Sequence, residues 1–358
     1  MNVLPLPGDT PGGPRGWVIQ EPRHLVTVEG VPLPEAVTNA IASLSVTQVA
    51  NQPASFSLQL DDPHMVLIDA HLGLFAEGRK IAILMGYGND LQNLIEGEVS
   101  AVSVEIDAHK GTLLTVEGFD QLHGGSRGVA YREFRDAQTD SAIVQQIAQE
   151  MGLLAVVDPT GVQSDRRVQA HVSNLSYLQA LAQAHDFQLW AEGGTLHFQR
   201  VRAAGEVLLL YGDNLETFSA RLSTAGHVRD IEVRGWDAGN KQAISATASV
   251  TLSAAYAASL SLTGQSQIGS DSKEVIFADG EVRSIAEAQR LAEARMSVQR
   301  RNLLSAEGRT FGNPALRVGS VATVKGLARF SGQYVVEQAR HTMADGGYST
   351  SFELRQQL

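Results

Sequence analysis

The sequence predicts a mainly β protein with α+β inserts: two tube-like β-barrel domains, a helix-hairpin domain and a small inserted α/β segment. Three observations point there. Short runs alternating polar and apolar with period two, set apart by glycines, fill residues 17–120 and return at 206–236 and 303–358. Between them, apolar residues recur at helical spacing. The length of 358 residues, with 43% apolar and 19% charged residues, fits two to three ordinary globular domains.

Residues 1–16 hold four prolines (Pro5, Pro7, Pro11, Pro14) and four glycines (Gly8, Gly12, Gly13, Gly16), a composition expected to form a flexible arm. The first barrel, 17–120, contains the alternating runs Ser55–Leu60, Glu98–Ile106 and Leu114–Phe119. Lys80–Leu84 follows Gly78, and Pro34–Ala42 fits a short helix. The helix-hairpin domain spans 121–205. There Thr139 or Asp140 caps a helix carrying Ile143, Val144, Ile147, Ala148 and Met151, and Gly152 stands at its stop. A second helix runs from about Leu175 to His185, capped by Asn174 or Ser173. Two alternating runs around Gly193-Gly194 read as a hairpin.

The second barrel is expected from 206–236 and 303–358. The inserted segment, 237–302, is rich in Ala and Ser and ends in an Arg-rich helix over Ser284–Arg301. The inner stripe of that helix is Ile285, Ala288, Leu291, Ala292 and Met296. Arg283, Arg290, Arg295, Arg300 and Arg301 fall on the remainder and are expected on a solvated face.

Charge narrows the range of partners. Twenty-eight basic against thirty-nine acidic residues give −11, so stable nucleic-acid binding, which needs a basic surface, is not expected. With no cysteine, disulfides, thiolate nucleophiles and Cys-ligated metals are excluded. No apolar run reaches the roughly 18 residues of a membrane span. The N-terminus shows no secretory signal.

Motif matches do not carry chemistry. Gly124-Gly125-Ser126-Arg127-Gly128 has the spacing of a hydrolase elbow, but Val129–Phe134 is no amphipathic helix start, so it reads as a turn. Gly86-Tyr87-Gly88 lacks the third glycine of a dinucleotide loop and reads as a hairpin turn. His185-Asp186 reads as a partner of a helix C-terminus, and Asp61-Asp62 as a turn. The Asn174-Leu175-Ser176 sequon reads as a helix cap. No catalytic, cofactor-binding or metal-ligating residue is assigned, and no cofactor is expected.

The two β regions repeat a pattern. Gly78, Gly97 and Gly111 each open an alternating run in the first, and Gly319, Gly332 and Gly347 do so in the last. Two copies per chain suggest that three chains present six modules.

The chain resembles the baseplate hub proteins of contractile phage tails, the late control protein D family. That family is related to the hub part of type VI secretion spikes and to the hubs of contractile injection systems. The likeness runs from about residue 20 to 358. It is carried by the glycine-opened strands, Val116-Glu117-Gly118-Phe119-Asp120, and Asn174–Ala182 through Gly194–Phe198. Val233–Asp237, Phe330–Val336, His341 and Gly347–Phe352 complete it. The resemblance implies a structural, non-enzymatic homotrimer with pseudo-sixfold symmetry, joining the sixfold tail tube to the threefold spike and forming part of the conduit. Tube or tube-initiator proteins, baseplate proteins and a separate spike are its implied partners; a separate spike is expected because the chain stops at Leu358. Assembly in the bacterial cytoplasm and residence in a phage tail or injection-particle baseplate follow from the same likeness. The competing readings are a peptidoglycan-degrading tail enzyme and a host-surface binding module.

Overall fold

In the computed structural model, the described residues are 2–5, 17–63, 65–107, 109, 111–135, 138–161, 163–164, 166–200, 206–223, 227–237, 240–250, 272–278 and 282–356. For 2–5, 17–20, 69, 163–164 and 206 only the backbone is described. The chain is mainly β.

The elements of the first part are β1 (Asn2–Pro5), β2 (Trp17–Gln20), β3 (Pro22–Val28), β4 (Val31–Pro32), α1 (Glu35–Asn39), β5 (Ile41–Val49), β6 (Ser55–Asp61), α2 (Val66–His71), β7 (Lys80–Tyr87), β8 (Asp90–Asp107) and β9 (Gly111–Asp120). The middle holds β10 (Ala130–Phe134), β11 (Gln138–Thr139), α3 (Asp140–Glu150), β12 (Leu154–Val157), β13 (Gln163–Ser164), β14 (Arg167–Val172), α4 (Asn174–His185), β15 (Gln188–Glu192) and β16 (Thr195–Gln199). The last part holds β17 (Glu206–Leu210), β18 (Leu215–Leu222), β19 (Asp230–Asp237), β20 (Gln242–Ser249), β21 (Lys273–Phe277), α5 (Ile285–Arg301), β22 (Leu304–Phe311), β23 (Val321–Lys325), β24 (Gly332–Ala344) and β25 (Gly347–Gln356).

One 13-stranded sheet contains both β regions, in the order β18-β22-β25-β24-β5-β6-β9-β8-β7-β3-β4, with β23 on β24 and β17 on β23. Period-two alternation sets its two faces. In β6, for example, Phe56, Leu58 and Leu60 are buried while the serines and Gln59 between them are half-exposed. The first region closes over a core that includes Val37, Leu44, Val46, Phe75, Ile83, Met85, Leu114 and Val116. The second closes over Leu209, Leu304, Leu316, Val324, Tyr334, Val336 and Leu354.

The helix-hairpin part has its own core, with Ile143, Val144 and Ile147 of α3 against Leu178, Leu181, Leu189 and Phe198. Thr139 caps α3 by accepting from the Ala142 N–H, and Gly152, at φ 74°, ends it. β15 and β16 form the antiparallel hairpin around Gly193-Gly194. This part sits in the notch between the two β regions. Asn51, at φ 63° in the β5–β6 turn, donates its N–H to the Leu189 carbonyl, accepts the Leu189 N–H on its side-chain Oδ1 and accepts from Gln179 through its backbone carbonyl. On the other side, the Gly319 N–H donates to Gln188.

Four sequence expectations need correction. Residues 2–5 pair antiparallel with 17–20, so part of the expected flexible arm is a strand; a ladder needs backbone donors and acceptors, which Asn2, Val3 and Leu4 ahead of Pro5 supply. Residues 6–16, most of the arm, lie outside the described residues. β19, expected in the second barrel, instead leads a separate three-stranded sheet with β20 and β21. It is the centre strand there, and α5 packs on that sheet through Ala288, Ala292 and Met296. The Ala- and Ser-rich residues 251–271 are likewise outside the described set. The stripe of α5 is misassigned at its start, since Ile285 is 65% exposed. Its arginines are not all solvated either: Arg290 and Arg301 turn inward to carboxylates.

Candidate functional site

The two β regions are copies of one unit. The first has the antiparallel order β5-β6-β9-β8-β7, and the second β18-β22-β25-β24-β23. Their registers agree residue by residue. In β8 the ladder to β9 slips at Ser100, between the pairs Val99–Gly118 and Ala101–Glu117. In β24 the ladder to β25 slips at Glu337, between Val336–Leu354 and Gln338–Glu353. A second bulge is also shared: Ala42 in β5, facing Leu60 and Gln59, and Glu216 in β18, facing Thr310 and Arg309. Bulges are specific features of a strand pair, so two in matching positions mark a duplicated unit.

These registers place Gly78 on Gly319 and Gly111 on Gly347. The first pair shares a positive φ, 82° and 86°. The third glycine match does not hold. Gly97 lies inside β8 and Gly332 begins β24, two residues out of step.

The copies are joined by one strand pairing. The first half of β24 pairs with β23. Past the bulge, residues 338–344 pair antiparallel with residues 43–49 of β5, Arg340 facing Thr47 and His341 facing Val46. Buried Leu44, Val46, Ala339, His341 and Met343 line the inner face of this joint. His341 is fully buried; its Nδ1 lies 2.9 Å from the Tyr348 hydroxyl and 3.1 Å from that of Thr350. Burial pushes its imidazole down to about 3, so it is neutral.

Among the described residues, the equivalents of the joined strands have no such partner. Among the described residues, no strand pairs with the outer edge of β8 beyond Glu98, and only an isolated bridge at Leu215 touches the outer edge of β18. On that stretch of β8, Val104 is 43% and Ile106 64% exposed.

No catalytic constellation forms from the residues that the sequence brought forward. Residues Gln121–Ser126 are a 3-10 turn, and the Ser126 hydroxyl donates to the His123 carbonyl. His185 is not a helix-end cation. Burial lowers its imidazole pKa, and its Nε2 lies 2.7 Å from the Asp140 carboxylate at the start of α3. Burial pushes the Asp140 carboxyl up, but the hydrogen bond from His185 and the charge of Arg167 outweigh it, leaving the group below its ordinary range. Glu287 and Arg290 of α5 complete this buried cluster. It locks α5 to the helix-hairpin part, a role invisible at sequence separations above one hundred residues. Asp62 is buried and accepts the N–H groups of Leu67 and Ile68, so it organises the start of α2. Ser173 caps α4, and Asn174 accepts from Arg132 and Gln169.

A cleft of about 490 Å³ opens where α4, α5 and β24 meet. Arg200, Arg295, Arg300, Arg301 and Arg355 line it against only Asp186 and Glu337, with Arg301 forked onto Asp186. Among the described residues there is no group of three or more His, Asp or Glu placed to hold a metal. No helix among them is long and apolar enough to cross a membrane.

This fold is similar to the folds of several solved tail and type VI secretion proteins. The 43 kDa tail protein of prophage MuSo2 from Shewanella oneidensis superimposes with a TM-score of 0.68 at 16% identity, over 94% of this chain and 98% of that one. A tail protein from Neisseria meningitidis MC58 gives 0.65 at 12% identity, over 94% and 97%. The E. coli c3393 protein, a type VI secretion component similar to the T4 tail proteins gp27 and gp5, gives 0.57 at 10% identity, over 93% and 77%. The chain belongs to the family of the Alg8 N-terminal domain, whose model matches residues 20–345. No curated protein sequence matches it.

Proposed function

We propose that this chain is a structural, non-enzymatic baseplate hub of a contractile tail or injection system. Three copies form a ring in which six equivalent sheet units face a sixfold tail tube on one side and a threefold spike on the other. The ring is part of the conduit. Its partners are the spike, tube or tube-initiator proteins and other baseplate proteins, with no stable nucleic-acid contact. It assembles in the bacterial cytoplasm and ends in a phage tail or an injection-particle baseplate, a placement in keeping with the late control protein D likeness.

The observation that carries this reading is the register-matched pair of units, down to both bulges. A chain with two equivalent units gives a threefold assembly six equivalent positions, which is what a symmetry adaptor requires. Native mass measurement and electron microscopy test it: a ring-shaped trimer with six-unit density is expected, alone or with the spike. A monomer in both conditions refutes it. Cell-wall turbidity is expected to stay constant when the isolated chain is added; clearing would favour a wall-degrading enzyme instead.

A further inference from the structure

We infer that the distal half of β8 in one copy of this chain pairs with β18 of the next copy, antiparallel, in the register of the intrachain joint. The inference rests on the ring reading and deepens it by naming the edges and the residue pairs.

The register follows from the duplication. Matching bulges make Ser100 of β8 equivalent to Glu337 of β24, and Ala42 of β5 equivalent to Glu216 of β18. Residues 338–344 of β24 are therefore matched by 101–107 of β8, and 43–49 of β5 by 217–223 of β18. Within the chain, β24 seals β5. The remaining two equivalents, β8 and β18, point to each other across a subunit boundary. Transferring the pairs gives Val102 opposite Leu222, Ser103 opposite Arg221, Val104 opposite Ala220, Glu105 opposite Ser219, Ile106 opposite Phe218 and Asp107 opposite Thr217.

Side-chain chemistry agrees with this register, although the register was fixed by the bulges alone. Val102, Val104 and Ile106 each meet an apolar residue, while Ala101, next to the bulge, meets Ser223. Phe218, Ala220 and Leu222 already pack on the core of the second unit, and Val102 on that of the first. Val104 and Ile106, exposed in the single chain, would extend that layer. On the other face, Arg221 stands opposite Ser103 and diagonal to Glu105, within reach for opposite charges. A slip by one residue would set Val104 and Ile106 against the polar face. An edge with exposed branched apolar side chains and open backbone groups is a template for another strand, and an unsealed one invites aggregation. The contact is head-to-tail, so repeating it generates a closed ring or an open filament; three chains are the closed solution with six equal joints.

The natural chain has no cysteine, so engineered pairs report alone. Three double variants of the full chain are compared under mild oxidation. Thr47→Cys with Arg340→Cys spans the intrachain joint and is expected to cross-link within one chain. Ser103→Cys with Arg221→Cys is its counterpart between chains and is expected to give covalent dimers and trimers on a denaturing gel. Ser103→Cys with Ser219→Cys is out of register and is expected to give at least fivefold less. All three replace half-exposed or exposed residues, so folding is expected to be retained and is checked by melting.

An absent inter-chain product beside an efficient intrachain control overturns the register, as does equal yield from the out-of-register pair. If native mass still shows a trimer in that case, the ring reading survives and only this pairing falls. A monomer overturns both.

Discussion

Ser100 and Glu337 occupy the same place in two ladders 237 residues apart: each is the single extra residue of its strand against the strand after it, at the point where it parts from the strand before it. In both strands the change of neighbour follows directly. β24 leaves β23 and takes up β5, and β8 leaves β7. A bulge raises local twist and bends the bulged strand, so one strand can serve two sheet segments on the same edge. Burial pushes the Glu337 carboxyl up despite Arg301 and Arg355 nearby, which fits a residue turned out of the ladder into the cleft.

The fit of Gly319 against Trp190 gives the first expected outcome. Gly319 has φ 86°, and a Cβ there would lie 2.7 Å from the Trp190 ring, which itself stacks on His197 at 4.8 Å between centroids. Gly319→Ala combines left-handed strain with overpacking and is expected to cost about 2–4 kcal/mol. Urea unfolding measures it. Adding Trp190→Ala relieves the overpacking but not the strain, so that background should show a smaller loss.

The buried cluster at the start of α3 gives a second. Asp140 is the carboxylate for His185 and Arg167, with Arg290 at 3.9 Å. Asp140→Asn leaves two enclosed guanidinium groups with Glu287 as their remaining counter-charge in the cluster, and a loss of about 3–5 kcal/mol is expected. His185→Gln keeps the ion pair with Arg167 and is expected to cost roughly 1–3 kcal/mol. Equal losses from the two would show that the charge of Asp140 is not what holds α5 in place.

Two buried groups should tilt the pH profile in opposite senses. Burial raises the Asp120 carboxyl to about 7, against the N–H groups of Ala54, Leu122 and His123. Its proton is held more tightly in the folded chain, so its contribution is complete below the ordinary value of 3.8 and is lost as pH rises towards about 7. His341 is the reverse. Its imidazole is lowered from 6.5 to about 3, so the unfolded chain binds a proton the folded one refuses, and stability falls as pH drops from 6.5 towards 3. Relative to the natural chain, Asp120→Asn should gain as pH rises and His341→Gln should gain as pH falls. Urea midpoints at pH 4, 5.5 and 7 compare them, and parallel profiles for both variants would contradict the assignment.

A fourth concerns the packing of Phe56 over Gly118. A Cβ at Gly118 would meet the Phe56 ring at 2.5 Å and the Glu98 carbonyl at 2.1 Å. Because the backbone atom cannot yield cheaply, Gly118→Ala is expected to destabilise by about 1–3 kcal/mol or more, and Phe56→Leu should not rescue it in a thermal melt.

Local structure was legible where a local cause sets it. Thr139 before Ile143, Val144 and Ile147 writes a capped helix, and Gly193-Gly194 between alternating runs writes a hairpin. Long-range partners were not. Nothing near Arg290 or Arg301 says that Asp140 and Asp186 will face them, so a solvated arginine face was the natural expectation. Val233 and Ile231 alternate as well as any barrel strand, and only their pairing with Ala246 and Ala248 reveals a separate sheet. Two of three glycine matches survived because a positive φ or a hairpin start demands glycine. Gly97 sits mid-strand beneath the Phe119 carbonyl and answers to a different neighbour.

Since β24 belongs to both units, neither half is a cassette that can be lifted out. A truncation after Asp120 would strip Met343 and Tyr348 from the remaining hydrophobic interior and lay β5 bare along seven residues. Swapping units between relatives would therefore have to carry this strand along, or the recombinant would lose its stitching at the seam.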